Sequence, residues 1–373
     1  MRNLNNLLTV TFYALAVCLT TSCTKIKDII DLGGHAGENG YVYTMSNDTG
    51  RNSILAYKQG GDGMLSYSYT VSSGGKGLGR GLGSQGPLIF DKASKMLFAV
   101  NAGDNTISSF TISSDGRLKL SQTISSGGTT PISLTVYKSL LYVVNNGGNI
   151  SGFKISGNGQ LTMIPGSTQP LSRGDAGPGE ILFQPDGSHL VVTEKNTFKI
   201  CTFKVNSTGA AESPVVNPSY SETPFGFAFA GDNQLIITNA YGGNAGQSVI
   251  TSLTIGDNGI TSLSSAVPTQ QTSACWVTLT KDQEYAFATN AMSNTISSLH
   301  IGVKNRLELV DGAVAKTGTS PTEIILSGNA EFVFNLNSVS HSISGYQILP
   351  KGRLLNAGEV TGLPPAAAGL AAY

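Results

Sequence analysis

Asn101, Asn145, Glu194, Asn239, Asn290 and Asn335 recur along this chain roughly 40–50 residues apart, each near the end of a short β-branched or aromatic run. Asn at such a place commonly bonds loop backbone groups. Glu194 breaks the series with an acid, and Lys195 follows it. A second set stands at the heads of the preceding runs: Gln85, Thr130, Glu180, Phe225, Trp276 and Thr322. Within these two sets the carboxyls of Glu180 and Glu194 could move protons. Arg80, Arg173 and Lys195 could hold an anion, and either Arg could also pair with Glu194. Trp276, the only Trp, carries a broad apolar face and one polar N–H. That suits stacking on a sugar or aromatic ring, and it equally suits packing an interior. His35, His189, His300 and His341 are scattered. No His, Asp or Glu group has metal-ligand spacing, so neither a metal nor another cofactor is expected.

The elements that position these residues are repeats. Phe98-Ala-Val-Asn101 to Ile112 is nearly copied by Phe287-Ala-Thr-Asn290 to Ile301. Weaker copies begin at Tyr41, Tyr142, Val191, Ile236 and Phe332, for seven in all. Strand-rich repeats of this length predict an all-β, seven-bladed propeller of four-stranded antiparallel blades. In the fourth copy, Glu180–Gln184 reads as inner strand A, Pro185-Asp-Gly187 as a turn, His189–Thr193 as B and Lys199–Val205 as C. Turns at one phase, Asp62-Gly63, Asp115-Gly116, Asn158-Gly159, Asn258-Gly259 and Lys351-Gly352, tolerate the positive φ of tight hairpins. The first copy lacks a strand A, and the tail Ala367–Tyr373 reads as a strand A with no B after it. The two are therefore expected to form one blade and close the ring, removing two open edges. Both residue sets then face one mouth of the central channel.

Lys and Arg together number 23 and so do Asp and Glu, which leaves no basic stripe for nucleic acid. The N-terminus reads as a separate element. Arg2 precedes the apolar stretch Leu7–Leu19 and then Thr20-Thr-Ser-Cys23, the pattern of an export signal. The Cys makes it similar to a bacterial lipoprotein signal, although Thr20 stands where Leu is usual. On this reading residues 1–22 are a signal peptide, 23–40 a tether lipidated at Cys23, and 41–373 the propeller. The protein is expected on a bacterial membrane, periplasmic or at the cell surface. An uncleaved membrane anchor would need about 20 apolar residues, more than this stretch supplies. Cys201 and Cys275 fall two blades apart, too far for a bridge, and read as small buried residues.

The blade pattern, the Pro-Asp-Gly turn and the overlapped ends resemble the lactonase family of seven-bladed propellers, which includes 6-phosphogluconolactonase and carboxymuconate-lactonizing enzymes. Gly81-Leu-Gly-Ser-Gln-Gly86, Val192-Thr-Glu-Lys195, Pro224-Phe-Gly-Phe227, Ala274-Cys-Trp-Val277 and Ala368-Gly-Leu-Ala371 fit a bacterial branch of it. The resemblance covers residues 41–373. It implies a His six residues before the strand-ending Pro, an Arg at the same place in the next blade and a Glu at the end of that blade's strand B. Those positions hold Gly179, Phe225 and Asn239 here. Gly81–Gly86 also spells G-x-G-x-x-G, but it enters a strand rather than a helix, so it reads as a channel-lining loop and not a dinucleotide site.

Two functions are expected to compete. One is a monomeric binding or scaffolding propeller that takes a small lactone, a glycan or a protein at the channel mouth through Arg80, Gln85, Asn101, Asn145, Arg173, Lys195, Phe225, Asn239, Trp276, Asn290, Thr322 and Asn335. The other, implied by the resemblance, is a lactonase or carboxymuconate-cyclase-like enzyme with Glu180 or Glu194 as general base and Arg80 or Arg173 on the substrate carboxylate. The missing His and the expected export away from cytoplasmic sugar phosphates favour the first.

Overall fold

A computed structural model describes residues 40–256, 259–303 and 306–373. Cys23, His35 and Asn258 lie outside the described residues, as do the signal and nearly all of the tether. Seven antiparallel sheets form the seven blades. The inner A strands are Ala368–Ala372 in blade 1, Leu88–Asp91 in blade 2, Pro131–Tyr137 in blade 3 and Pro178–Phe183 in blade 4. Pro224–Ala230, Ala274–Leu279 and Pro321–Leu326 follow in blades 5, 6 and 7. Blade 4 matches its sequence reading closely, with B at His189–Glu194, C at Lys199–Lys204 and D at Val215–Pro218. In blades 3 and 5 the outer position is split, two short strands pairing with one strand C.

The ring closes as the sequence predicts. Tyr41–Met45 pairs with the C-terminal strand, Val42 opposite Ala372 and Tyr43 opposite Ala371. Thr44 Oγ1 donates to Gly369 O at 2.8 Å. The inner strand of the first blade is thus the last segment of the chain, so the fold is complete only when both ends are in place.

The core lies between neighbouring blades. The B strands are almost wholly buried, as at Met96–Asn101 and Gln234–Asn239, because both of their faces meet another blade. Each buried Leu, Ile, Val or Phe there contributes about 1.5–3 kcal/mol relative to exposure. The C–D turns take part in this packing. Tyr43 Oη donates to Gly116 O at 2.6 Å and Tyr142 Oη to Gly209 O at 2.8 Å, in each case from one blade to the next. Gly116 has φ of 79°, and a Cβ there would lie 2.2 Å from the Tyr41 ring. The repeated turn glycine therefore answers to inter-blade packing as well as to backbone conformation.

Candidate functional site

Most of the strand-end ring is bonded into the blades. Asn101 Nδ2 donates to Thr106 Oγ1 and Ser108 Oγ, and its Oδ1 accepts from Asn52 and Ser73. Asn290 repeats the pattern on Thr295 and Ser297, and Asn239 donates to Thr251. In blade 7 the residue with these bonds is Asn337, which reaches Ser342 and Ser344 and pairs with Pro321. Asn335 therefore sits two residues short of the expected position, because its strand continues through Leu336 to Asn337. Asn145 holds the strand-end position opposite Pro131. Asn101, Asn239, Asn290 and Asn337 tie strand B to strand C, whereas both polar atoms of the Asn145 amide are buried without a hydrogen-bond partner.

Glu194 occupies the same place and is treated the same way. It is fully buried and accepts from Ser172 N (2.9 Å), the Ser172 hydroxyl, Thr197 Oγ1 (2.5 Å) and Cys201 Sγ (3.0 Å). It makes no ion pair with Arg80 or Arg173. The Arg173 side chain is exposed and lies 2.5 Å from Asp175, and Arg80 is exposed. Glu180, Glu194 and an Arg thus do not converge in an open pocket. Cys201 and Cys275 are both free and buried, in blades 4 and 6.

The inner ring is where the chain departs from its own repeat. The residue opposite the one before the strand end is Ser133 in blade 3, Glu180 in blade 4, Trp276 in blade 6 and Glu323 in blade 7. A bulge at the head of each of these A strands shifts the register by one. Thr322 is accordingly one residue early, its hydroxyl turned back to Leu336 O, and Glu323 holds the ring position. The ring residue of blade 5 is Gly226, beside Phe225. Glu323 was missed from the sequence, although Pro178-Gly-Glu180 and Pro321-Thr-Glu323 share one phase.

Residues Gly83–Gly86, on the connection from blade 1 to blade 2, run across the channel and plug it. Ser84 Oγ donates to Ile132 O at 2.7 Å, and Trp276 Nε1 donates to Ser84 O at 3.0 Å. Gln85 N donates to Gly179 O at 3.0 Å. The Gln85 side chain bonds both backbone groups of Val277, at 2.8 and 3.1 Å. Gly86 O accepts from Leu134 N, and Gly86 N donates to the Glu323 carboxyl. One short loop is thus fixed to blades 3, 4, 6 and 7. Gly226 is required by it, since a Cβ there would sit 2.1 Å from Gln85 Oε1. The expected channel-lining loop is a closure of the channel.

Beneath the plug lie Glu180 and Glu323, each 3% exposed. Glu180 accepts from Phe227 N at 2.6 Å. Burial holds both carboxyls well above the usual range, and the Glu180 charge raises Glu323 further. At the mouth above, Lys195 Nζ sits 4.6 Å from the centre of the Phe225 ring and donates to Gly83 O. Phe225 packs on Trp276, their centroids 5.0 Å apart. Desolvation lowers the Lys195 amine to about 8, and the neighbouring Cys275 thiol opposes that shift. Cys275 is itself pushed up to about 12 by burial. Trp276 is 5% exposed and so packs the channel, while Phe225 and Lys195 keep partial access to solvent. No group of three or more His, Cys, Asp or Glu placed to hold a metal occurs among the described residues. An open groove of about 850 Å³, lined by Asp282, Tyr285 and Lys351 among others, lies at the other end of the strands, by the A–B turns of blades 6 and 7.

With this geometry in hand, comparison with known proteins supports the resemblance. Residues 57–169 match the family described as lactonase, 7-bladed beta-propeller. No curated protein sequence matches the chain. Among solved structures, a protein from Lactobacillus plantarum superposes with a TM-score of 0.71 at 17% identity, over 90% of this chain and 99% of that one. A 6-phosphogluconolactonase-like protein of Bacteroides uniformis gives 0.69 at 17% identity, over 89% and 99%. The periplasmic gluconolactonase of Pseudomonas aeruginosa gives 0.66 at 17% identity, over 88% and 98%. At these identities the likeness is one of fold.

Proposed function

We propose that this lactonase-type seven-bladed propeller is a binding module whose channel mouth takes a small ligand bearing an anionic group and an apolar or ring face. The observation that carries the reading is the Lys195–Phe225 pair. A half-buried ammonium lies over a partly exposed aromatic ring, beside the Gly81–Gly86 loop. The ammonium would hold a carboxylate or phosphate and the ring would take the ligand's face. The expected acid–base groups give no support for hydrolysis at the mouth, since Glu194 is saturated with donors and Glu180 lies under the plug. Gly179, where the family resemblance implies a His, has no room for a side chain: a Cβ would meet Phe225 O at 2.7 Å and Thr193 Oγ1 at 2.8 Å. Tethering through Cys23 to a bacterial membrane, with the mouth outside the cytoplasm, belongs to the same proposal.

The test is a titration of the protein with aldonates, sugar phosphates and lactones, followed by Trp276 fluorescence, since the indole contacts both the loop and Phe225. An anionic ligand should bind, and Lys195→Met should weaken it by at least about tenfold, the loss of one charge-assisted contact. Unchanged affinity in that variant overturns the proposed contact. The second reading, a lactone-opening enzyme, is favoured by the gluconolactonase-type neighbours and by the raised carboxyl of Glu180, which could serve as a general acid if the plug moves.

A further inference from the structure

Glu180 and Glu323 are two acids in one channel, and neither Lys, Arg nor His contributes to the charge environment of either. Buried carboxyls without a cation are costly, and native structures resolve them by protonation or by an ion. Two further atoms point to the second solution. Glu323 Oε2 is buried with no hydrogen-bond partner. Thr289 Oγ1, fully buried on strand B of blade 6, is also without a partner. Its counterparts are bonded: Thr193 Oγ1 donates to Phe225 O at 2.5 Å and Thr238 Oγ1 to Cys275 O at 2.7 Å. Each counterpart reaches the next blade at the carbonyl just before the inner-ring residue. By the same step Thr289 belongs beside Thr322 and Glu323, and its strand packs against the strand carrying them. The vacant lone pairs of an acid and a hydroxyl therefore collect at the blade 6–blade 7 junction of the inner ring, where the charge of a second acid, Glu180, is felt at Glu323.

We infer that the inner ring beneath the plug is a site for one hard divalent cation, with Glu323 and Glu180 as carboxylate ligands and Thr289 Oγ1 as a neutral one. All three are oxygen donors, which select Ca²⁺ or Mg²⁺ over softer metals. The ion would neutralise the acids, and because the Gly86 amide bonds Glu323, it would also stiffen the plug. The inference stands apart from the mouth ligand and does not depend on it.

The experiment uses the purified protein, stripped with a chelator and titrated with Ca²⁺ and, separately, Tb³⁺. Retained metal is counted after equilibrium dialysis. Tb³⁺ luminescence is excited through Trp276, whose indole bonds the loop that also bonds Glu323. One equivalent of Ca²⁺ is expected, with Tm raised by about 5 °C at a hundredfold excess over Kd. Trp-sensitised Tb³⁺ emission should be displaced by Ca²⁺. Glu323→Gln should abolish all three readouts, and Thr289→Val should weaken Ca²⁺ affinity severalfold while leaving Glu323 in place if the first variant does not fold. No retained Ca²⁺ or Mg²⁺ and no Tm shift in the unmodified protein would overturn the inference and leave the acids protonated or hydrated. Binding that survives in both variants would place the ion elsewhere and overturn it equally.

Discussion

Glu194 and Glu323 are both buried acids set at repeat positions where other blades carry something else, and the molecule surrounds them differently. Around Glu194 the chain supplies an amide, two hydroxyls and a thiol, so every strong acceptor direction is used. Around Glu323 it supplies the Gly86 amide and leaves one oxygen unbonded. A saturated carboxylate ties strands together and has no capacity left for a ligand. An unsaturated one retains that capacity and costs stability until it is used. Apart from the unbonded Asn145, the strand-end ring is therefore framework, and the inner ring with its mouth is where binding is to be sought.

The largest expected effect comes from deleting residues 364–373, which removes strand A of blade 1 and opens the inner ring itself. Cooperative thermal unfolding should be lost, as read by circular dichroism. Next is Glu194→Ala, which strands the Ser172 amide and its companion donors. A loss of about 2–4 kcal/mol is expected in urea unfolding, with Glu194→Gln costing less because it keeps an acceptor. Gln85→Ala leaves both backbone groups of Val277 unpaired and should cost about 1–3 kcal/mol. Glu180→Gln should stay within about 1 kcal/mol of the parent without added metal, because the amide still accepts from Phe227 N and burial already disfavours the charged form of the acid it replaces. Equal costs at Glu194 and Glu180 would break the contrast between the two rings.

The smallest effect concerns pH. Lys195 titrates near 8 in the fold and near 10.4 in an unfolded chain. Between these values the unfolded state binds more protons, so stability should rise with pH from about 8 to 10.4. Solvent screening of a half-buried group keeps the rise shallow. Lys195→Met should remove it in denaturation series at fixed pH.

The blades and their closure were legible because each repeat states its own strands and turns, and the tail Ala367–Tyr373 completes a blade whose other strands begin at Tyr41. The Asn series was legible as a repeated position, but not its bonds to the strand-C hydroxyls, and Asn335 falls two residues short of that position. The inner ring was harder. A bulge at the head of strand A turns Thr322 away and Glu323 inward, and hydrophobic pattern carries no mark of that bulge in a fully buried strand. The plug was not legible at all. Gln85 bonds Val277 across 192 residues, and nothing local to Gly83–Gly86 distinguishes a loop that lines a channel from one that closes it. Gly226 was the available sign, as the position whose side chain was given up for Gln85.

The most direct test of a closed, non-hydrolytic channel is proton release by the purified protein over 6-phosphogluconolactone, simple sugar lactones and acyl-homoserine lactones. Rates no higher than spontaneous opening are expected on every lactone, from a sample that still binds an anionic ligand through Lys195. Turnover well above the spontaneous rate that disappears in Glu180→Gln would contradict it and show that the plug opens onto a working acid.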